Sequence, residues 1–344
     1  MQKPNHILII RLSAMGDVAM TVPVIRALVD QYPDCKITVL SKPFLKPLFD
    51  EISNVSFYAA DVKGKHKGAA GLYKLFKELQ KLDITHVADF HNVLRSKIVR
   101  FFFSRTQVPI AIIDKGRAEK RALTRETNKI FKQLKTSHQR YADVLKGLGF
   151  NVDISIPKPI AKPELSEKIT NLTGNKKDSW IGIAPFAAFD GKMYPLHLMK
   201  EVIANLSEQY QVFLFGGGKK EIALLNEIET SNNNVLNIAG KLSFQEELAL
   251  ITHLDLMISM DSGNAHLAAM QQVKTITVWG VTHPYAGFTP YNQPFDHCLL
   301  PDLEKYPKIP CSVYGNKVFE GYESVMETIS PQSIVKKAIT VLTT

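Results

Sequence analysis

The stretch Asp261-Ser262-Gly263-Asn264-Ala265-His266 concentrates a carboxylate, a hydroxyl, a glycine and an imidazole in six residues. An apolar run, Leu256 to Ile258, reads as a short buried strand before it, and Leu267, Ala268 and Met270 begin a helical pattern after it. Gly263 lets another group approach the backbone closely, and Ser262 stands where a helix N-cap belongs. A strand–turn–helix of this kind leaves backbone N–H groups at the carboxyl end of a sheet, where an anion can sit. Asp261 would repel that anion and suits hydroxyls instead. The chemistry points to a ligand carrying both phosphate and sugar; an ordinary strand–helix junction is the competing reading.

Several other turns carry polar or glycine-rich residues after strand-like runs. In the second half these are 185–192 with Asp190, Gly191 and Lys192, 216–221 with Gly217 and Glu221, and 280–284. In the first half Ile7 to Ile10 reads as a buried strand, Ser13-Ala14-Met15-Gly16-Asp17 as a turn, and Val18 to Leu28 as a helix whose start Pro23 disturbs. Lys36 to Leu40 is the next strand, which makes a βαβ unit and a parallel sheet. Phe44 to Glu51 reads as a helix, 61–71 as a mobile loop with three lysines and three glycines, and Leu94 to Phe103 as a helix carrying Arg95. Open parallel sheets bind ligands at the carboxyl edge of their strands, where these turns fall.

Length suggests two domains. Pro157, Pro159 and Pro163 mark a linker, so the domains are placed at 1–156 and 179–329, with 157–178 between them. A last helix occupies 330–344 and is positioned to pack back on the first domain. No apolar run approaches the ~20 residues that span a bilayer, and Arg11 and Asp17 interrupt any signal-peptide core, so the chain is expected in the cytoplasm. Cys35, Cys298 and Cys311 are too few and too scattered for a disulfide framework, and His297 with Cys298 and Cys311 is a weak metal spacing. The net charge of +9 is uneven: residues 1–160 hold 27 Lys+Arg against 14 Asp+Glu, the remainder 15 against 19. Much of the excess lies in 115–146, including Lys115, Arg117, Lys120 and Arg121, which suggests an anion-facing surface. The lack of interleaved aromatics there argues against nucleic acid.

Taken together these stretches resemble glycosyltransferase family nine, the lipopolysaccharide heptosyltransferases. The matching segments are Arg11-Leu12-Ser13-Ala14-Met15-Gly16-Asp17-Val18, Asp89-Phe90 through Arg95-Ser96, His138 through Tyr141 with Leu145 to Gly149, Lys192-Met193-Tyr194-Pro195, Asp261 through Ala269, and Trp279 through Pro284. Their order runs through nearly the whole chain. Ala187 and Ala188 stand where relatives often carry hydroxyls, and Asn264 stands where a proline is common.

The resemblance implies an α/β GT-B architecture, with two Rossmann-like domains facing each other across a central cleft. It implies an inverting, metal-independent transfer of heptose from an ADP-activated donor to the lipopolysaccharide inner core, with no cofactor. On that resemblance Asp17 is the base and Lys192 neutralises the departing diphosphate. Lys192, Gly217, Glu221, Asp261, Ser262, Gly263 and His266 hold the donor. Ser13, Met15, Gly16, Arg95, Lys115, Arg117, Lys120 and Arg121 face a phosphorylated lipid-linked acceptor, which places the chain at the inner face of the cytoplasmic membrane. Two other classes compete. A nicotinamide oxidoreductase lacks its three-glycine fingerprint in the first turn, where only Gly16 matches. A non-catalytic basic protein binding nucleic acid or a membrane predicts polyanion binding without any response to ADP.

Overall fold

The computed structural model describes residues 5–344. Met1 to Pro4 lie outside the described residues. The chain divides into two compact units, Met1–Lys115 with Ser137–Lys158, and Gly116–Thr136 with Pro159–Thr344.

The first unit contains β1 (His6–Ile10), α1 (Met15–Ala19), α2 (Val22–Gln31), β2 (Lys36–Ser41), β3 (Val55–Ala59), α3 (Gly68–Gln80), β4 (His86–Asp89), α4 (Leu94–Phe103) and β5 (Ile110–Ile112). After α5 (Arg117–Thr124), which clusters with the second unit, the chain returns with α6 (Ser137–Lys146). Its five strands are all parallel in the order β3-β2-β1-β4-β5. Ile7 to Ile10 are fully buried, as a central parallel strand covered on both faces requires. The helix expected over Val18 to Leu28 is broken: α1 ends at Ala19 and α2 starts at Val22, with Pro23 in its first turn, where no N–H is needed. Where a helix was expected from Phe44, Pro43 to Leu48 form a 3₁₀ turn instead, with Pro47 inside it and lacking the N–H an α-helix would use.

The second unit contains α7 (Glu167–Thr173), β6 (Trp180–Ala184), α8 (Leu196–Ser207), β7 (Gln211–Leu214), α9 (Lys219–Thr230), β8 (Val235–Asn237), α10 (Phe244–Thr252), β9 (Leu256–Met260), α11 (Gly263–Met270), β10 (Lys274–Val278), β11 (Cys298–Leu299) and α12 (Pro331–Thr343). Its six parallel strands run β11-β10-β9-β6-β7-β8.

The expected domain boundaries shift in three places. Residues 116–136 join the second unit because Leu123 and Leu134 are buried with Ala286. The segment read as a linker is attached to the second unit: Ser166 caps α7, Ile169 is buried, and the Pro163 carbonyl lies 2.6 Å from His253 Nε2. Helix α12 buries Ile334, Ala338 and Val341 in the second unit's own core, correcting the expectation that it returns to the first domain. The charge division softens accordingly. The first unit holds 20 Lys+Arg against 12 Asp+Glu, and the second 22 against 21.

Candidate functional site

Both sheets reverse their strand order once, between β1 and β4 in the first unit and between β6 and β9 in the second. Chain segments leave such a pair of strands in opposite directions, which opens a crevice at their carboxyl ends. Asp17 and Asp261 fall at these two points, whereas Glu221 follows β7, away from the reversal.

In the first unit, Asp17 sits in α1 just after β1. Its Oδ2 lies 2.5 Å from Arg11 Nη2 and accepts the Ala14 N–H at 3.2 Å. Arg11 is buried and also donates to the Phe90 carbonyl at 2.8 Å, so the end of β4 fixes the guanidinium that fixes Asp17. The Tyr141 hydroxyl donates to the Asp17 carbonyl at 3.2 Å from α6, and its ring stacks on Phe90. One carboxylate oxygen is thus tied down. The other accepts no hydrogen bond among the described residues, and the side chain is 30 % exposed. A carboxylate held this way can accept a proton from a defined direction.

His91 enters the same arrangement, and sequence reasoning missed its role. The Leu12 N–H donates to His91 Nδ1 at 3.3 Å, which puts the ring proton on Nε2. Burial, reinforced by Arg11 and Lys115, pushes His91 down to about 3, so the ring stays neutral. Asp89, which opens the matching segment at β4, is structural: it accepts the His91 and Asn92 N–H groups and pairs with Arg100 at 3.0 Å. Ser13, Met15 and Gly16 lie half-buried on the turn that carries Asp17.

In the second unit, Lys192 Nζ lies 2.8 Å from Asp261 Oδ2, and the Thr282 hydroxyl donates to the same oxygen at 2.9 Å. The ends of β6, β9 and β10 therefore converge on one ion pair, whose side chains are 15 % and 6 % exposed. Two close backbone approaches hold the lysine there. The Val281 N–H donates to the Gly191 carbonyl at 2.9 Å, and a Cβ on Gly280 would lie 2.2 Å from that oxygen. A Cβ on Gly315 would lie 2.3 Å from Lys192 Cγ, and Gly315 has φ +83°, so this glycine seats the lysine stem. Ser262 occupies the N-cap of α11, but its hydroxyl meets Ser259 Oγ at 3.0 Å and does not cap the helix. That corrects its expected role and leaves the first-turn N–H groups of Gly263 and its neighbours without that side-chain cap. His266 is buried on the same helix. Glu221 accepts the Gly217 N–H at 2.8 Å through Oε2, which shapes the glycine turn after β7 and leaves Oε1 without a hydrogen bond among the described residues.

The expected acceptor residues are divided between the two units. Arg117, Lys120 and Arg121 lie on α5 in the second unit, whereas Lys115 and Arg95 belong to the first. Lys120 is buried with Nζ 3.9 Å above the Phe288 ring, a packing role that charge counting could not reveal. Arg117 and Arg121 are exposed. Cys35, Cys298 and Cys311 are free thiols, and no group of three or more His, Cys, Asp or Glu among the described residues could hold a metal ion.

The sequence profile of glycosyltransferase family 9 (heptosyltransferase) matches residues 72–315. The chain belongs to glycosyltransferase family 9. It is 31 % identical over 314 residues to the lipooligosaccharide heptosyltransferase 2 of Haemophilus influenzae, with 81 % of this chain and 84 % of that protein covered. The crystal structure of a family 9 glycosyltransferase from Veillonella parvula superposes with a TM-score of 0.77 at 20 % identity, covering 100 % of this chain and 99 % of that one. The E. coli heptosyltransferase WaaC with ADP-2-deoxy-2-fluoro heptose gives 0.66 at 18 % identity, covering 97 % and 99 %. The family 9 fold is therefore the one described above, a parallel Rossmann-like sheet in each of two units. This family 9 protein is a glycosyltransferase, and the oxidoreductase and non-catalytic readings fall away.

Proposed function

We propose that this family 9 enzyme transfers heptose from an ADP-activated donor to a lipopolysaccharide inner-core acceptor, with inversion and without a metal. The observation that carries the reading is the pair of switch-point carboxylates, one fixed by Arg11 and the other by Lys192. Family membership supplies the reaction class. The ADP-sugar analogue in the structural relative WaaC and the name of the Haemophilus relative support the donor and the acceptor class.

In this reading the acceptor hydroxyl attacks the anomeric carbon from the face opposite the diphosphate. The new C–O bond forms as the bond to ADP breaks, its electron pair leaves with the diphosphate, and the hydroxyl proton passes to Asp17 Oδ1. His91 stays neutral with its ring proton on Nε2, so it adds no second cation to the one already paired with Asp17. Lys192 is paired with Asp261. An incoming diphosphate takes over Nζ, stabilises the departing charge, and leaves Asp261 to the sugar hydroxyls. The N–H groups opening α11 receive phosphate oxygens, and Glu221 Oε1 is available to the ribose. Ser13, Met15, Gly16, Arg95 and Lys115 serve the acceptor from the first unit, and Arg117 and Arg121 add positive charge from α5. The enzyme works in the cytoplasm, peripheral to the inner face of the membrane that carries its acceptor.

Thermal shift with ADP, UDP, GDP and CMP tests the donor assignment. ADP at a hundredfold excess over its dissociation constant should add ~2.7 kcal/mol of apparent stability. Strong stabilisation by UDP with none by ADP would show that the donor has been misassigned.

A further inference from the structure

The turn after β3 and the first turns of α3 and α4 enclose a groove of about 700 Å³ in the first unit. Its floor is apolar, from Val62, Leu72, Val93 and Ile98, while Lys63 and Lys67 line it from the turn and Arg95 from α4. None of Ser13, Met15 or Gly16 lines it. In place of the loose loop expected from sequence, the turn is cross-braced. Asp61 accepts the Gly64 and Lys65 N–H groups at 2.8 and 3.0 Å, and the buried His66 bridges the Asp61 N–H and Glu78 Oε2 at 3.1 and 3.0 Å. Glu78 also receives the Tyr58 hydroxyl and the Lys65 ammonium. Glu78 is thus engaged by Tyr58, Lys65 and His66, while Asp61, whose carboxylate the backbone N–H groups hold ionised, is a single negative charge against the three cations Lys63, Lys67 and Arg95.

The groove opens onto an amphipathic face. Leu94, Ile98 and Phe101 recur along one side of α4 at helical spacing, and Arg105 follows just beyond its end. Leu94 is 74 % exposed and Phe101 52 %, with the Arg105 guanidinium 3.7 Å above the Phe101 ring. Tyr73 of α3, 48 % exposed, meets Phe102 edge-on at 5.0 Å. Lys74 and Lys97 are exposed on the same two helices. Single exposed apolar residues need no explanation, but a stripe of them ringed by lysine and arginine is the pattern of a surface that meets lipid.

We propose that the α3–α4 face of the first unit docks on an anionic phospholipid bilayer. The headgroup phosphates lie against Lys63, Lys67 and Arg95, and Leu94, Phe101 and Tyr73 enter the interfacial layer. Charge complementarity selects an anionic leaflet, and the apolar stripe selects lipid over nucleic acid, whose phosphates would leave Leu94 and Phe101 in water. This deepens the reading of the first unit as the acceptor side, because a lipid-linked acceptor is presented by such a surface.

The test is co-sedimentation of the full chain with vesicles of phosphatidylcholine alone or with one-third phosphatidylglycerol, with melting temperature recorded for every protein. The chain should pellet with the anionic vesicles only, and less as salt rises. Lys63→Ser/Lys67→Ser/Arg95→Ser should lose on the order of a hundredfold in partitioning, from ~1 kcal/mol per cation. Leu94→Ser/Phe101→Ser, which leaves every charge in place, should also lose at least tenfold. Absence of pelleting with anionic vesicles overturns the proposal, as does undiminished binding by either folded variant. Loss in the triple variant alone, with equal retention on heparin by wild type and Leu94→Ser/Phe101→Ser, would identify a general polyanion surface and overturn the lipid assignment. ADP stabilisation is read separately, so failure of the donor reading is distinguishable from failure here.

Discussion

Lys192→Met should destabilise the second unit more than Asp261→Asn, although each removes one member of the same ion pair. Asp261 is only 6 % exposed at its side chain, and without Lys192 its carboxylate keeps the Thr282 hydroxyl at 2.9 Å as its side-chain donor. Leaving such a charge buried without its counterion costs ~3–5 kcal/mol. Lys192 is more exposed, at 15 %, and its flexible stem can carry the ammonium to water. An asparagine at 261 still accepts from Thr282, so the cost there should be ~1–2 kcal/mol. At ~2–4 °C per kcal/mol for domains of 150–250 residues, the difference of ~2 kcal/mol separates the two melting temperatures by ~4–8 °C. The ligand response should follow the same ranking. Lys192→Met loses most of the ADP shift, whereas Asp261→Asn keeps it because the ammonium no longer has to leave a carboxylate. Differential scanning fluorimetry with and without ADP reads both effects. Equal destabilisation, or an ADP shift that survives in Lys192→Met, would refute the assignment of the ion pair as the diphosphate's competitor.

Gly315→Ala should lower both melting temperature and ADP affinity, since the new methyl meets Lys192 Cγ at 2.3 Å in a backbone of φ +83°; an unchanged ADP affinity in a folded protein would show that the lysine stem does not depend on this seat. Lys120→Ala should destabilise the fold through its lost contact with Phe288, while Arg117→Ser/Arg121→Ser should stay within ~0.5 kcal/mol of wild type and alter only the KM for acceptor. Acid should weaken the native state below pH 6.5. Burial holds His91 down to about 3 and His283 to about 4, so the unfolded chain binds more protons than the native one from pH 6.5 down to those values. Stability is therefore present above pH 6.5 and lost as pH falls, and His91→Gln should flatten the slope by about one proton, or ~1.4 kcal/mol per pH unit, in urea titrations between pH 4 and 6.

The sequence displayed the parallel sheets because buried strands followed by helices leave a periodic record, as Ile7 to Ile10 do. It also displayed an irregularity near Pro23, a local effect, though not the division into α1 and α2 just before it. What it concealed depends on contacts between distant residues. Leu123 and Leu134 look like part of a basic stretch until Ala286, far along the chain, is seen against them. Helix α7 hid among prolines, although Ser166 before Glu167 was a cap signal that the proline count overrode. At the sites, Asp17, Lys192 and Asp261 stood out as polar residues in turns. Their partners did not: Arg11 ends a strand, Thr282 is an ordinary hydroxyl, and Gly315 is a glycine among many. Nothing local distinguishes a residue whose function is to hold another.

The Arg11–Asp17 pair also alters what the central substitution should do. An amide at position 17 matches the shape of the carboxylate, but it removes the charge that Asp17 sets against the buried Arg11, so some loss of melting temperature is expected along with any loss of rate. The decisive measurement is single-turnover heptose transfer by Asp17→Asn under saturating donor, on a preparation whose ADP shift and melting temperature are recorded first. If Asp17 Oδ1 accepts the acceptor proton, the rate falls ~10²–10⁴-fold while the ADP shift, which belongs to the second unit, is unchanged. Transfer at a near wild-type rate by a folded, ADP-responsive Asp17→Asn protein would contradict the account.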